Sequence, residues 1–295
     1  MTSLSASLVR GAVTSPFKRA GRADATLPPG RLTLPGSPVA PGPLAAYARI
    51  CGFAESGPLP LTYPHVLAFP LTMRLMTGRA FPLPVLGLVH TWIEITPHRP
   101  VQPAEPLELA VYADGLAPHR RGTEVTMVTE ARVGGELVWE SRSGYLSRHA
   151  TRHPASGSAT ASARAETTAP GPGPRAAAPA PEELPARAEL TLPGDLGRRY
   201  GAVSGDRNPI HLHPLTARLF GFPRAIAHGM WTAARCLAES ETGEAAELCS
   251  VRVEFKAPVL LPATVTYAAD AAGNAFALRG AGGRVHLVGA VDRRP

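Results

Sequence analysis

The chain has 295 residues, 44% of them hydrophobic, which allows two domains of ~130 residues with buried cores. Its formal net charge of +7 gathers near the start, where Arg10, Lys18, Arg19, Arg22 and Arg31 face Asp24 alone within residues 1–40. No basic stripe is interleaved with aromatics, which argues against nucleic-acid binding. No apolar run reaches the roughly eighteen residues of a membrane span, and no continuous apolar segment at the start marks a secretory signal. The start is Ser/Arg-rich and acid-poor, in faint likeness to an organelle transit peptide, but Ala, Gly, Pro and Arg are abundant throughout and explain it better. Cys51, Cys236 and Cys249 are odd in number and form no Cys-x-x-Cys pair, so they read as buried thiols of a reducing, cytoplasmic compartment.

In chain order, residues 1–43 are Pro/Gly-rich and read as a loosely ordered lead-in. Leu44–Phe53 fits a short helix. Tyr63–Thr77 carries Leu67, Leu71, Leu75 and Met76 at helical period. Gly87–Thr96, Leu107–Tyr112, Thr123–Val133 and Glu136–Ser147 are strand-like, with Gly134-Gly135 as a hairpin turn. Residues 149–185 are almost wholly Ala, Pro, Gly, Ser, Thr and Arg. They offer too little apolar surface to offset ordering entropy and read as a flexible linker. In the second half, Ala188–Leu192 is a short strand, Leu196–Val203 a short helix, and His228–Ser240 an amphipathic helix. Cys249–Lys256, Ala263–Ala269, Ala275–Gly280 and Val285–Val291 are strand-like, separated by Gly273-Asn274 and Gly282-Gly283 turns. The division is therefore residues 44–148, a linker over 149–185, and residues 186–295.

The halves repeat. Tyr47-Ala48-Arg49-Ile50-Cys51-Gly52 parallels Tyr200-Gly201-Ala202-Val203-Ser204-Gly205, and Tyr63-Pro64-His65-Val66-Leu67-Ala68 parallels Phe222-Pro223-Arg224-Ala225-Ile226-Ala227. Phe53 then stands where Asp206 does, Phe69 where His228 does, and Pro70 where Gly229 does. This predicts a division of labour, in which the second half does chemistry and the first covers or lines an apolar tunnel.

The chemistry concentrates in Ser204-Gly205-Asp206-Arg207-Asn208-Pro209-Ile210-His211, where Asp206, Asn208 and His211 lie within six residues. Pro209 biases Asn208 towards extended geometry, so the segment reads as a stiff loop on which carboxylate and imidazole converge. Downstream, His228-Gly229-Met230 opens a helix whose first glycine can offer its N–H to a developing oxyanion.

Tyr200–His211, with Gly221-Phe222 and Ile226-Ala227-His228-Gly229-Met230, resembles the signature of the MaoC-like dehydratases, the (R)-specific enoyl-CoA hydratases. Leu59–Pro70 resembles the actinobacterial (3R)-hydroxyacyl-acyl-carrier-protein dehydratase branch. The resemblance implies an α+β double hot-dog fold: two repeats, each a central helix wrapped by an antiparallel sheet, with the active motif in the C-terminal one. It implies reversible hydration of trans-2-enoyl thioesters to (3R)-hydroxyacyl thioesters, carried on coenzyme A or acyl carrier protein. Asp206 and His211 would hold the water, Asn208 would orient it or the thioester oxygen, and Gly229 N–H would stabilise the enolate-like oxygen. His228, Ser204, Phe222 and Met230 would border the pocket. No metal or redox cofactor is required. Two hot dogs in one chain can stand alone or form a homodimer. His213 departs from an aspartate common in the family, at a position read as supporting the site rather than lining it.

Blander readings remain. Gly205-Asp206 and Asn208-Pro209 are ordinary turn pairs, and a lone His211 is more often structural. His211-x-His213 has metal-ligand spacing, but no third ligand follows in sequence. Ser204 lacks the Gly-x-Ser-x-Gly elbow of a serine hydrolase. Arg224 and Lys256 could meet carrier phosphates, though solvated surface is the simpler expectation. The alternatives to a hydratase are a hot-dog thioesterase and a non-catalytic acyl-binding subunit.

Overall fold

A computed structural model describes residues 18, 25–150, 180–240 and 249–293. The first half supplies β1 (Leu32–Ser37), α1 (Pro41–Cys51), α2 (Tyr63–Met76), β2 (Val89–Pro97), β3 (Leu107–His119), β4 (Gly122–Val133) and β5 (Glu136–Arg148). The second supplies β6 (Ala186–Leu192), α3 (Leu196–Ser204), α4 (Pro209–Leu212), α5 (Pro214–Leu219), α6 (Gly229–Ser240), β7 (Cys249–Phe255), β8 (Ala263–Ala269), β9 (Ala275–Arg279) and β10 (Val285–Arg293).

Alternating Val, Ile, Leu and Thr give these strands one buried face. They join into one ten-stranded antiparallel sheet in the order β1-β3-β4-β5-β2-β7-β10-β9-β8-β6. Read outward from the β2–β7 seam, the halves have the same order, so the sheet is two copies of one motif joined edge to edge. At the seam Ile93 pairs with Val253 and Ile95 with Val251, all buried. The intervening Glu94 accepts from Arg252 at 3.1 Å, and the Arg252 guanidinium lies 4.6 Å from the Trp92 ring centroid. Joining the halves here removes two exposed strand edges. Helix α2 packs on β3 and β4, and α6 packs on β9. Each half is thus a helix wrapped by antiparallel strands, the double hot-dog architecture.

The helices also clasp one another. Gly52 ends α1 and Gly205 ends α3, both left-handed at φ 88° and 78°, as the repeat requires. Tyr47 and Tyr200 meet at 6.2 Å between centroids. Trp231 of α6 donates its indole N–H to Ile50 O at 2.9 Å, and Arg235 donates to Cys51 O at 3.3 Å. A Cβ on Gly52 would stand 1.7 Å from Arg235 Nη1, so this contact needs glycine for space as well as conformation. Cys51 and Cys236 are buried free thiols, and burial pushes the Cys51 thiol up to about 12.

Several expectations change. The lead-in read as loose contains β1, an edge strand pairing Leu32 with Val111 and Leu34 with Leu109. Its register slips between Leu34 and Ser37, across Pro35-Gly36, which is tolerable only at an edge. Arg31 fastens it, donating 2.8 Å bonds to both oxygens of the Glu130 carboxylate. Residues 180–185, assigned to the linker, also pack: Leu184 is buried, and Arg279 donates to Glu182 O and Leu184 O at 2.7 and 3.0 Å. The remainder of the linker from 151 lies outside the described residues. Strand β3 runs on to His119, pairing with β4 through Ala113–His119, a stretch with Gly115 and Pro118 that carries no strand alternation in sequence. The second repeat alignment fails structurally: Tyr63–Ala68 are helical in α2, whereas 222–227 are a non-helical strap. Ile226 bridges Leu260, and Ala227 N donates to Val259 O at 2.9 Å, which holds the strap extended.

Candidate active site

The site is built around the end of α3. Gly205 reverses the chain there, and the next residues satisfy their own backbone. Asp206 N donates to Ser204 Oγ at 3.2 Å, Asn208 N to Asp206 Oδ1 at 3.1 Å, and Ile210 N to Asn208 Oδ1 at 3.4 Å. Asn208 therefore caps α4, with Pro209 preset for its first turn. The stiff-loop expectation holds for Asp206 and Asn208 but not for His211, which sits on this one-turn helix. Because loop and helix meet at the cap, carboxylate and imidazole still converge.

Two glycines make that convergence possible. A Cβ on Gly197 would lie 1.9 Å from His211 O, and one on Gly201 would lie 2.7 Å from Asp206 O. One face of α3 is thus bare so that the backbones bearing both groups can lie against it. The i, i+4 glycine spacing was a readable sequence signal that motif reasoning passed over.

Hydrogen bonds fix the tautomers of the histidines. His211 Nδ1 lies 2.8 Å from Ile226 O. A carbonyl only accepts, so Nδ1 carries the proton and Nε2 keeps its lone pair. His228 Nε2 donates to Asp206 O at 2.9 Å and lies 3.8 Å from Asp206 Oδ2, while its buried Nδ1 has no partner. The two imidazoles stack at 3.7 Å, and Tyr200 closes on His228 at 4.9 Å. Burial lowers the pKa of both, His228 to about 3 with repulsion from His211 adding to it, although the nearby Asp206 opposes each shift. Both rings are therefore neutral at neutral pH. A carboxylate oxygen of Asp206 and one ring nitrogen each of His211 and His228 lie within 4.8 Å of one another. The three-donor group is thus Asp206, His211 and His228, not the His211-x-His213 pair. His213 is exposed and accepts from Leu215 N at 3.2 Å, capping α5.

These groups open on a cavity of about 970 Å³. Ser204, Asp206, Asn208, His211, Phe222 and His228 line it, with Gly229 and Met230 at the start of α6. Gly229 is pressed against the Phe255 ring, 3.2 Å from the place a Cβ would take, and first-turn amides such as its own have no partner within the helix. The first half contributes Val66, Phe69, Met73 and Met76 from α2, together with His65, His90 and Tyr145. Phe53 and Tyr63 are buried in the core against Tyr47, Phe53 stacked on its ring and Tyr63 tilted at 52° to it. Of the two cations considered for carrier phosphates, Lys256 lines the cavity and pairs with Glu254, while Arg224 donates to Pro262 O at 3.2 Å. Ile226 and His65 stand in the motif and the repeat, but their places at the site, like those of His90 and Tyr145, are not legible in the sequence because the fold alone brings them to Asp206.

Known proteins share this fold. Residues 176–278 match the MaoC-like domain model. The chain is 39% identical over 238 residues to 3-hydroxyacyl-thioester dehydratase X of Mycobacterium tuberculosis, covering 81% of this chain and 79% of the relative. It superposes on the crystal structure of HtdX from Mycobacterium tuberculosis with a TM-score of 0.73 at 34% identity, covering 90% of this chain and all of that one. A MaoC-like dehydratase from Phytophthora capsici has the same fold, with a TM-score of 0.69 at 20% identity, over 92% of this chain and 98% of that one. Among the described residues, no helix is long and apolar enough to cross a membrane. On the identity that it shares over most of its length, the chain belongs to the MaoC-like dehydratase family.

Proposed function

We propose that this protein catalyses the reversible hydration of trans-2-enoyl thioesters to (3R)-hydroxyacyl thioesters in fatty-acyl metabolism, the C-terminal half (186–295) carrying the chemistry and the N-terminal half (44–148) enclosing the acyl chain. The observation that carries the reading is the neutral His211, its Nδ1–H given to Ile226 O and its Nε2 lone pair available beside the Asp206 carboxylate. Two groups each about 2.8 Å from a shared water can stand up to roughly 5 Å apart, and a ring nitrogen of His211 and a carboxylate oxygen of Asp206 lie within that reach, no more than 4.8 Å from one another.

In hydration, Asp206 accepts one O–H of the held water and His211 Nε2 takes the other proton as the water oxygen bonds to C3. The C2–C3 π pair moves towards the thioester oxygen, where the Gly229 N–H at the start of α6 receives the charge. The imidazolium then returns its proton to C2, so the water is consumed and the enzyme restored. Dehydration is the same sequence reversed. Met73, Met76, Val66 and Phe69 give the cavity an apolar wall suited to an acyl chain. Asn208 and Ser204 act by holding the Asp206 loop. His228 holds it from the other side and keeps His211 flat against its own ring. The acyl group arrives as a thioester of coenzyme A or acyl carrier protein.

The test is loss of enoyl-thioester absorbance with crotonyl-coenzyme A and a long-chain trans-2-enoyl-coenzyme A, then with acyl-carrier-protein thioesters. Asp206→Asn and His211→Ala are each expected to lower kcat by about 10²–10⁴. Release of free thiol without formation of a 3R alcohol would instead identify a thioesterase.

A further inference from the structure

The N-terminal half was expected to give the cavity an apolar wall, yet it places two histidines and a tyrosine there. His65 on α2, His90 on β2 and Tyr145 on β5 line the same cavity as Asp206. The three rings form a stack: His65 to His90 at 6.0 Å and His90 to Tyr145 at 4.5 Å between centroids, each with a 10° interplanar angle. The phenyl ring of Phe255, which also presses on Gly229, closes on His90 at 4.9 Å. The stack is therefore one aromatic ring away from the amide proposed to receive the enolate charge.

Two features distinguish this stack from an ordinary aromatic core. His65 Nδ1 and His90 Nε2 are buried without a hydrogen-bond partner, an arrangement that folded proteins seldom leave unanswered. The backbone is also shaped locally. The β2–β5 register shifts between His90 and Trp92, and bulges of this kind re-aim side chains beside functional sites. Glu124 pins the irregularity, accepting from Thr91 Oγ1 at 2.5 Å and Trp92 Nε1 at 3.0 Å. Gly144 makes room for it, since a Cβ there would lie 2.2 Å from Trp92 Nε1. Strand β2 thus departs from regular pairing at the residue that carries the unpartnered His90 nitrogen.

We propose that His65 and His90 hydrogen-bond an oxygen of the acyl head, the thioester carbonyl or the 3-hydroxyl, so that the two halves assemble the polar active site together. The inference rests on the hydratase reading above. Burial holds His65 at about 4 and His90 at about 3, so both rings are neutral near pH 7; His90 also hydrogen-bonds the Trp92 backbone, so it presents Nε2 to the cavity, and His65 presents Nδ1. That chemistry suits an uncharged carbonyl or hydroxyl, not a carrier phosphate. Tyr145 supports the stack and keeps His90 in plane.

The test uses the full chain with His65→Phe and His90→Phe, which keep the rings and remove the nitrogens. His65→Leu and His90→Leu repeat it if a phenyl ring is misplaced. Hydration kcat and KM are measured with thermal midpoints, together with affinity for a (3R)-hydroxyacyl-coenzyme A and for an alkyl-coenzyme A thioether that lacks both oxygens. The expected result is a ten- to hundred-fold loss in kcat/KM and in thioester affinity, unchanged thioether affinity, and a midpoint at or above the wild-type value. Wild-type kcat/KM in folded variants of both positions would overturn the inference and leave the hydratase reading standing. A wild-type protein inert towards every enoyl thioester would overturn both.

Discussion

Replacing Gly197 by alanine tests whether the bare face of α3 sets the catalytic geometry. The added Cβ would lie 1.9 Å from His211 O, 2.9 Å from its carbonyl carbon and 3.4 Å from its Cα. These are backbone atoms of α4, so no side chain can swing aside. Restoring ordinary contact requires α3 and α4 to part by more than about 1 Å. The parting acts directly on the site, because α3 also carries Gly201 against Asp206 O, while the His211 ring is held by Ile226 O on the 222–227 strap. A misplacement of ~1 Å can cost about 10²-fold in rate. Stability responds differently: alanine in a helix is favoured over glycine by about 1 kcal/mol, and overpacking costs ~1–3 kcal/mol, so the net loss is at most about 2 kcal/mol. The expected outcome is a folded protein with kcat for enoyl-thioester hydration down by about two orders of magnitude. Gly194→Ala is the control, since its Cβ would make only a 3.7 Å contact with Pro262 Cδ. A Gly197→Ala protein with wild-type kcat would refute the reasoning, as would equal losses in both variants.

Other perturbations probe the remaining parts. His211 has a pKa lowered by burial and must be neutral to accept a proton, so the acid limb of the kcat profile should fall below the ordinary histidine value of 6.5; a limb above it would contradict the assignment. The buried His65, His90 and His228 have folded-state values of about 4, 3 and 3, below the 6.5 of the unfolded chain. Below pH 6.5 the unfolded state therefore binds more protons, and stability should fall as pH drops from 6.5 towards 3, by about 2 kcal/mol per imidazole at pH 5. Urea titrations at pH 7 and 5 measure this. Gly52→Ala forces alanine into the left-handed region and against Arg235, which should cost ~1–2 kcal/mol and lower Tm by roughly 2–8 °C with little change in kcat. Because a base and a carboxylate suffice for the proposed step, incubation with EDTA should leave turnover unchanged. Loss on chelation and recovery with zinc would make Asp206, His211 and His228 a metal site instead.

Much of this protein follows from the sequence alone. Strand alternation, the Gly134-Gly135 turn and the helical periods reflect local preferences and one-sided burial, which act over a few residues. The repeated glycines after Ile50-Cys51 and Val203-Ser204 mark helix ends that only glycine tolerates, and the structure shows both left-handed. Asp206, Asn208 and His211 were legible because a cap, a proline and a reversal fit within eight residues. Other features depended on partners distant in sequence. Strand β1 is held by β3 and by Glu130, 99 residues from Arg31, so its local Pro/Gly content misrepresents it. The strap over 222–227 resembles Tyr63–Ala68 in sequence, yet pairing with 259–261 keeps it extended. The tautomer of His211 depends on Ile226 O, and the low affinity of His228 for protons depends on burial and on a ring stacked against it. The first half meets the Asp206 loop only because a ten-stranded sheet folds His65, His90 and Tyr145 onto the cavity that holds Asp206. Sequence determined the chemical groups and their local turns; tertiary packing decided their tautomers, their charge and which groups from the other half face them.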